Sequence, residues 1–354
     1  MRLVWTTVAS VLSEEPGIQR LSLGPGAPPS LGAICYPALT GPCAAGDRVL
    51  VNVTAVDLAL GTGGWHFVCA REGEGEALAD ASGGHVMKLR YTPLQRDVLA
   101  VEEPASPHHS VMATAEDLEG MPVVCCGLHS HLAPVAAALK EARPDARVAF
   151  VMTDAASLPL ALSDLVRACR REGLLDATVT AGQAFGGDLE AVTLHTGLIA
   201  ARHVERADVA VVANGPGVTG THTPYGHGGV AQAQAIDAAA ALGGRPVAVL
   251  RLSFADRRER HAGVSHHTLG VLGRLAFGRA LVPVPSLPAH QAAEVERALA
   301  DAGVWARHER VDEEGRLPDS RGVAMLTMGR GPAEDPAFFS AAAAAGEAAA
   351  RLLG

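Results

Sequence analysis

The chain has 354 residues, of which 48% are apolar, and a formal net charge of −9. That length and apolar share support two domains with cores of their own and exclude an intrinsically disordered protein. The acidic balance argues against nucleic acid or an anionic membrane surface as partner, because neither phosphate backbone nor headgroup meets an excess of positive field.

Six cysteines show no C-x-x-C spacing. A chain of this size does not need disulfides, so reduced thiols and a cytoplasmic location are expected. No apolar run approaches the roughly 20 residues of a membrane-spanning helix.

From residue 1 to 105 the apolar period is two. Val4, Val8 and Val11, then Ile18, Leu21 and Leu23, then Val49, Val51 and Val53 mark short strands parted by Gly and Pro turns. This predicts a small all-β, barrel-like domain. Glu72 to Gly84, acidic and rich in glycine, reads as a solvated hairpin loop. Over 106–121 the period is lost, with Pro107 and Gly120 as breakers, and a linker is expected. His108 and His109 within it read as an exposed pair rather than a metal site.

Residues 122–354 alternate between strand and helix patterns, which predicts a doubly wound, mostly parallel α/β domain. Strands are expected at Val123–Leu128, Arg147–Asp154, Ala177–Ala184, Val209–Ala213, Pro246–Phe254, Ala280–Val284 and Val323–Thr327. Helices are expected at Leu132–Ala142, Leu158–Glu172, Asp188–Arg202, Val230–Ala241, His266–Gly278, His290–Ala302 and Pro336–Leu353. Asp188 and Ser265 read as helix N-caps.

Polar residues gather where these strands end. The first leads to His129-Ser130-His131, the second to Asp154, and the third to Gln183. The fourth opens a glycine- and hydroxyl-rich loop, Asn214 to Gly229, and the fifth leads to Asp256, His261, Ser265, His266 and His267. In a parallel sheet such ends share one edge, where open α/β folds bind ligands.

The loop after the fourth strand lacks G-x-G-x-x-G and Walker spacing. Its glycines and the helix behind it still suit an anion, which makes Asn214, Gly215, Gly217, Thr219, Gly220, Thr221, His222 and His227 candidate ligand contacts, with Gln183 beside them. Asp154, His129 and His131 are candidate general acid and base groups. His129, His131, Asp154, His266 and His267 are also candidate ligands for a divalent metal, Zn²⁺ or similar. Neither Ser130 nor Ser253 sits in G-x-S-x-G, so a serine nucleophile is disfavoured. Cys125 and Cys126 lie within a buried strand and read as core.

Gly127-Leu128-His129-Ser130-His131, Met152-Thr153-Asp154, Gly182 to Asp188 and Gly263-Val264-Ser265-His266-His267 together resemble the motifs of an uncharacterised bacterial domain-of-unknown-function family. The resemblance spans nearly the whole chain, and it implies an architecture but no reaction. Three functions stay open. They are a hydrolase or group transferase acting on a small anionic metabolite, a non-catalytic small-molecule-binding or regulatory protein, and a His/Asp metal-dependent hydrolase. Homo-oligomerisation is left open too.

Overall fold

The structure, a computed structural model, describes residues 1–60, 63–73 and 82–354. The loop expected between Glu72 and Gly84 lies largely outside the described residues. The chain divides into two compact units, Met1–Leu99 and Ala100–Gly354.

In the first unit β1 (Leu3–Glu15), β2 (Ile18–Leu23), β3 (Gly32–Cys35), β4 (Arg48–Asn52) and β5 (Trp65–Arg71) close into a barrel of order β1-β2-β3-β5-β4. Closure leaves no unpaired edge among these strands. The period of two explains the barrel's interior, since Val8, Leu21, Ala33, Val49, Val51 and Val68 all turn inward to one core. Gly32 shows the tightness of the arrangement: at φ +132° an added Cβ would collide with the Leu21 carbonyl. Short helices α1 (Pro37–Thr40) and α2 (Thr54–Asp57) and a hairpin of β6 (Val86–Lys88) and β7 (Arg96–Val98) belong to the same unit.

The second unit opens with α3 (His109–Met112), inside the stretch expected as a linker. Its sheet contains β8 (Pro122–Cys125), β9 (Val148–Thr153), β10 (Ala177–Ala181), β11 (Leu189–Ala191), β12 (Val209–Asn214) and β13 (Arg245–Ala248). After the small pair β14 (Leu252–Ser253) and β15 (Gly263–Val264), the strands β16 (Leu281–Pro285) and β17 (Glu309–Glu313) complete the sheet. The order is β11-β10-β9-β12-β8-β13-β16-β17, and every neighbouring pair is parallel.

Helices α4 (Leu132–Ala142), α5 (Asp164–Arg171), α6 (Leu194–Ile199), α7 (Ala231–Ala241), α8 (His266–Gly270), α9 (Ala289–Asp301) and α10 (Pro336–Arg351) cover the two faces. Two cores result, and alternate residues of each strand feed them. Val123 and Cys125 join the core with Leu198, Ile236 and Leu299, while Val124 and Cys126 join the one with Leu139, Cys169 and Phe338. Central strands buried on both faces read as the continuous apolar runs seen in the sequence.

Two expectations are corrected. Val323–Thr327 is not a strand; one edge of the sheet is β17, whose Glu309, Arg310 and Asp312 are charged in the way edge strands resist further pairing. Asp188 is not an N-cap. Its carboxylate accepts the Thr178 backbone N–H at 2.8 Å and pairs with Arg170 at 3.0 Å. The helix starts later, behind a reciprocal Thr193–Thr196 capping box.

Candidate functional site: a histidine and arginine cluster

Beyond β13 the apolar run Val249-Leu250 ends abruptly in Arg251, and the chain then turns through β14, a short helical turn at Glu259–His261, and β15. Ser265 caps α8, its hydroxyl accepting the His267 backbone N–H, so His266 and His267 project from the first turn as expected. The same hydroxyl lies 2.7 Å from His261 Nδ1 and fixes that ring. The ring centres of His266 and His267 are 4.4 Å apart, and those of His261 lie 5.1 Å and 4.9 Å from the two.

One nitrogen from each of His261, His266 and His267 falls within 4.8 Å of the others. A fourth imidazole, His227, arrives from the far end of the loop that follows β12. It stacks flat on His267, with centroids 3.6 Å apart and planes within 2°. Gly229 leaves the room for this, because an added Cβ would stand 3.0 Å from His227 Nδ1 and 3.5 Å from His267 Nδ1. The Nε2 of His266 and the Nδ1 of His227 are buried and have no hydrogen-bond partner.

Burial and neighbouring positive groups hold these rings neutral. Desolvation first, then Arg251 and the other imidazoles, push His261 down to about 3 and His267 down to about 2. His227 and His266 are lowered for the same leading reason. Arg251 itself donates from Nη1 to His267 Nδ1 at 3.1 Å, and burial brings its guanidinium down to about 10. Asp256 accepts a bidentate pair from Arg258 at 2.9 and 2.6 Å, which holds its carboxyl well below the ordinary range.

Apart from His227, the residues singled out at the ends of the first four strands form a separate group at the carboxyl ends of the same sheet. His129 spends both nitrogens on structure, with Nδ1 2.9 Å from the Asn214 carbonyl and Nε2 2.6 Å from Ser163 Oγ. Burial lowers it to about 4. His131 is fully buried, with both nitrogens unpartnered, and stacks on Phe338 at 4.6 Å. Asp154 is exposed, and its Oδ2 accepts the Gln183 backbone N–H at 2.9 Å, tying the ends of β9 and β10 together. Asn214 accepts from Thr153 Oγ1 at 2.6 Å and donates to the Gly228 carbonyl at 2.9 Å, which anchors both ends of the loop. His129, His131 and Asp154 thus do not join His266 and His267 in one ligand set.

Within the loop, Gly215 packs against the Ser157 carbonyl, while Gly217, at φ +90°, and Gly220 both have open space around them. Thr219 accepts the Gly228 N–H through its carbonyl, Thr221 bonds the Gly226 carbonyl, and His222 is exposed at φ +62°. Ser253 donates to Asp335 at 2.8 Å and Ser130 to Thr327 at 3.3 Å, so neither hydroxyl is activated by an imidazole. His109 bonds the Glu102 carbonyl at 2.7 Å. Cys125 and Cys126 are buried, and desolvation pushes both thiols up.

Residues 32–346 match the family model described as "Protein of unknown function (DUF3866)". The chain belongs to this family. No curated protein and no solved structure matches it. The DUF3866 match contains every member of the histidine cluster, together with Arg251, Arg258 and Arg330, whose guanidinium lies 3.8 Å from Asp256 Oδ2.

Of the cluster in this DUF3866 chain, the sequence pointed to His227, His261, His266 and His267 but passed over Arg251, Arg258, Arg330 and Asp335. A signal for Arg251 was present: a charged residue that ends a run as apolar as Val247 to Leu250 has to be paid for by a partner or a ligand. Arg330 and Asp335 carried none, because they come from a segment remote in sequence.

Among the described residues no helix is long and apolar enough to cross a membrane.

Proposed function

We propose that this protein is a metal-dependent hydrolase of a small anionic molecule, in which His261, His266 and His267 hold a divalent transition ion such as Zn²⁺. The carrying observation is the convergence of three neutral imidazoles whose nitrogens fall within 4.8 Å of one another, with His266 Nε2 buried and unpartnered. An unsatisfied buried nitrogen is costly, and in the tautomer that places a lone pair on His266 Nε2 a cation is the partner it lacks. Tetrahedral Zn–N bonds of about 2.0–2.1 Å place donors about 3.4 Å apart, so modest side-chain rotation closes the set. Imidazole donors favour zinc-like ions over Mg²⁺ or Ca²⁺, which take oxygen ligands.

His227 is assigned a different part. Its ring lies parallel to that of His267, so one ion cannot lie in both planes; it packs the ligand in place. Three protein ligands leave a fourth position for water or substrate, the arrangement of catalytic rather than structural zinc. An ion held there would acidify a water to near neutral pH and polarise the bond to be cleaved. Ser265 orients His261, the support that metal-bound imidazoles require; His267 would take an ion only as Arg251 gives up its donation to Nδ1, because a neutral imidazole has a single lone pair. The six free cysteines suit a reducing compartment, and the cytoplasm is the location we assign.

The test is a hydrolysis screen on metal-stripped protein with Zn²⁺, Mn²⁺ or Co²⁺ restored, using small phosphate and carboxylate esters. Activity that returns with metal and is lost in His266→Ala supports the reading. Metal binding without turnover of any ester would reduce it to a binding protein.

A further inference from the structure

Arg251 confronts the proposed centre with a second cation. A guanidinium has no lone pair, so its contact with His267 Nδ1 at 3.1 Å is a donation, and that nitrogen is the acceptor. Arg251 Nη2 is 3.9 Å from Asp256 Oδ2, which Arg330 also approaches at 3.8 Å. Arg330 is turned as well toward Asp335 Oδ2, 3.1 Å away. Three guanidiniums, those of Arg251, Arg258 and Arg330, thus share the carboxylates of Asp256 and Asp335 beside neutral imidazoles, with the Glu294 carboxylate lying nearby against Gly263. Arg260 adds to the positive field at Arg251. A divalent ion on the histidines would raise this excess further, with no carboxylate among its ligands. An anion is the partner that this positive field favours.

Building on the metal reading above, we propose that the substrate carries a phosphoryl dianion that bridges the metal and Arg251, with Arg258 and Arg330 supplying the positive wall behind it. A phosphoryl group suits the site better than a carboxylate for two reasons. Two of its oxygens match the planar fork of a guanidinium while a third remains for the metal, whereas a carboxylate has only two. Its double charge also offsets more of the excess.

Mutual attraction of this kind makes metal and anion bind cooperatively, each strengthening the other by the same factor. The experiment titrates Co²⁺ into metal-stripped, full-length protein with and without inorganic phosphate, acetate, methyl phosphate or dimethyl phosphate. Phosphate and methyl phosphate should tighten Co²⁺ binding by about tenfold, within the usual range of coupling between sites. Acetate and the singly charged diester should leave it unchanged, which separates a terminal phosphate from a diester linkage.

Arg258→Gln, at a partly exposed position, should retain Co²⁺ binding and lose most of the coupling; Arg251→Gln should abolish it. Equal Co²⁺ affinity with and without phosphate overturns the proposal, as does a coupling that both variants keep. Failure of Co²⁺ to bind at all removes the metal centre instead. Calorimetry with phosphate alone then decides on the arginines: binding lost in Arg258→Gln retains the phosphate site, and absence of binding to the wild type ends it.

Discussion

Buried imidazoles set the acid behaviour of individual residues. His129 is pushed down to about 4 and His131 to about 3, both chiefly by burial, against about 6.5 in an unfolded chain. Above about pH 6.5 both states hold the ring neutral and its stability is fully present. As pH falls from there toward 4, the unfolded chain binds protons that the fold refuses, so stability falls. Denaturant titrations at pH 7.5, 6 and 5 should show that decline. In His131→Leu the slope should be shallower. That variant should also gain about 1–3 kcal/mol at pH 7.5, since two unpartnered buried nitrogens disappear. A steeper slope, or a loss of stability at pH 7.5, would mean that the ring has a polar partner in solution.

Among elements, the contact of α10 with α4 depends on Gly346, where an added Cβ would collide with the Val135 carbonyl and stand 3.0 Å from Ala138. Gly346→Val should cost about 1–3 kcal/mol by overpacking, read as a lower thermal midpoint; an unchanged midpoint would show that the helices separate easily. The helix itself was legible, as were most of the parallel strands, because short apolar runs rich in valine, such as Val209 to Ala213, read as strands buried on both faces. What escaped was the charged edge. Glu309–Glu313 has neither alternation nor an apolar run, and only its pairing with β16 makes it a strand. The helix expected from Asp188 failed for a related reason: the carboxylate that suggested a cap binds back to β10 through Thr178, as that of the neighbouring Glu190 does through Thr180. The candidate site was legible in part. Histidines close in sequence to the ends of strands could be picked out, but which of them meet depends on the excursion through β14 and β15.

For the whole molecule, every proposed ligand and every arginine of the wall lies within Ala100–Gly354. A chain restricted to those residues should therefore bind metal as the full chain does, provided that circular dichroism shows it folded. Loss of binding in the folded fragment would contradict the placement of the site within Ala100–Gly354. The central claim is that three histidines hold an ion, and elemental analysis of the purified full-length protein tests it most directly. Reconstituted with Zn²⁺ and freed of excess, the wild type should retain close to one ion per chain. His261→Ala with His266→Ala should retain almost none, while His129→Ala should remain loaded. Wild-type protein that retains no ion, or a double variant that retains as much as the wild type, would contradict the account.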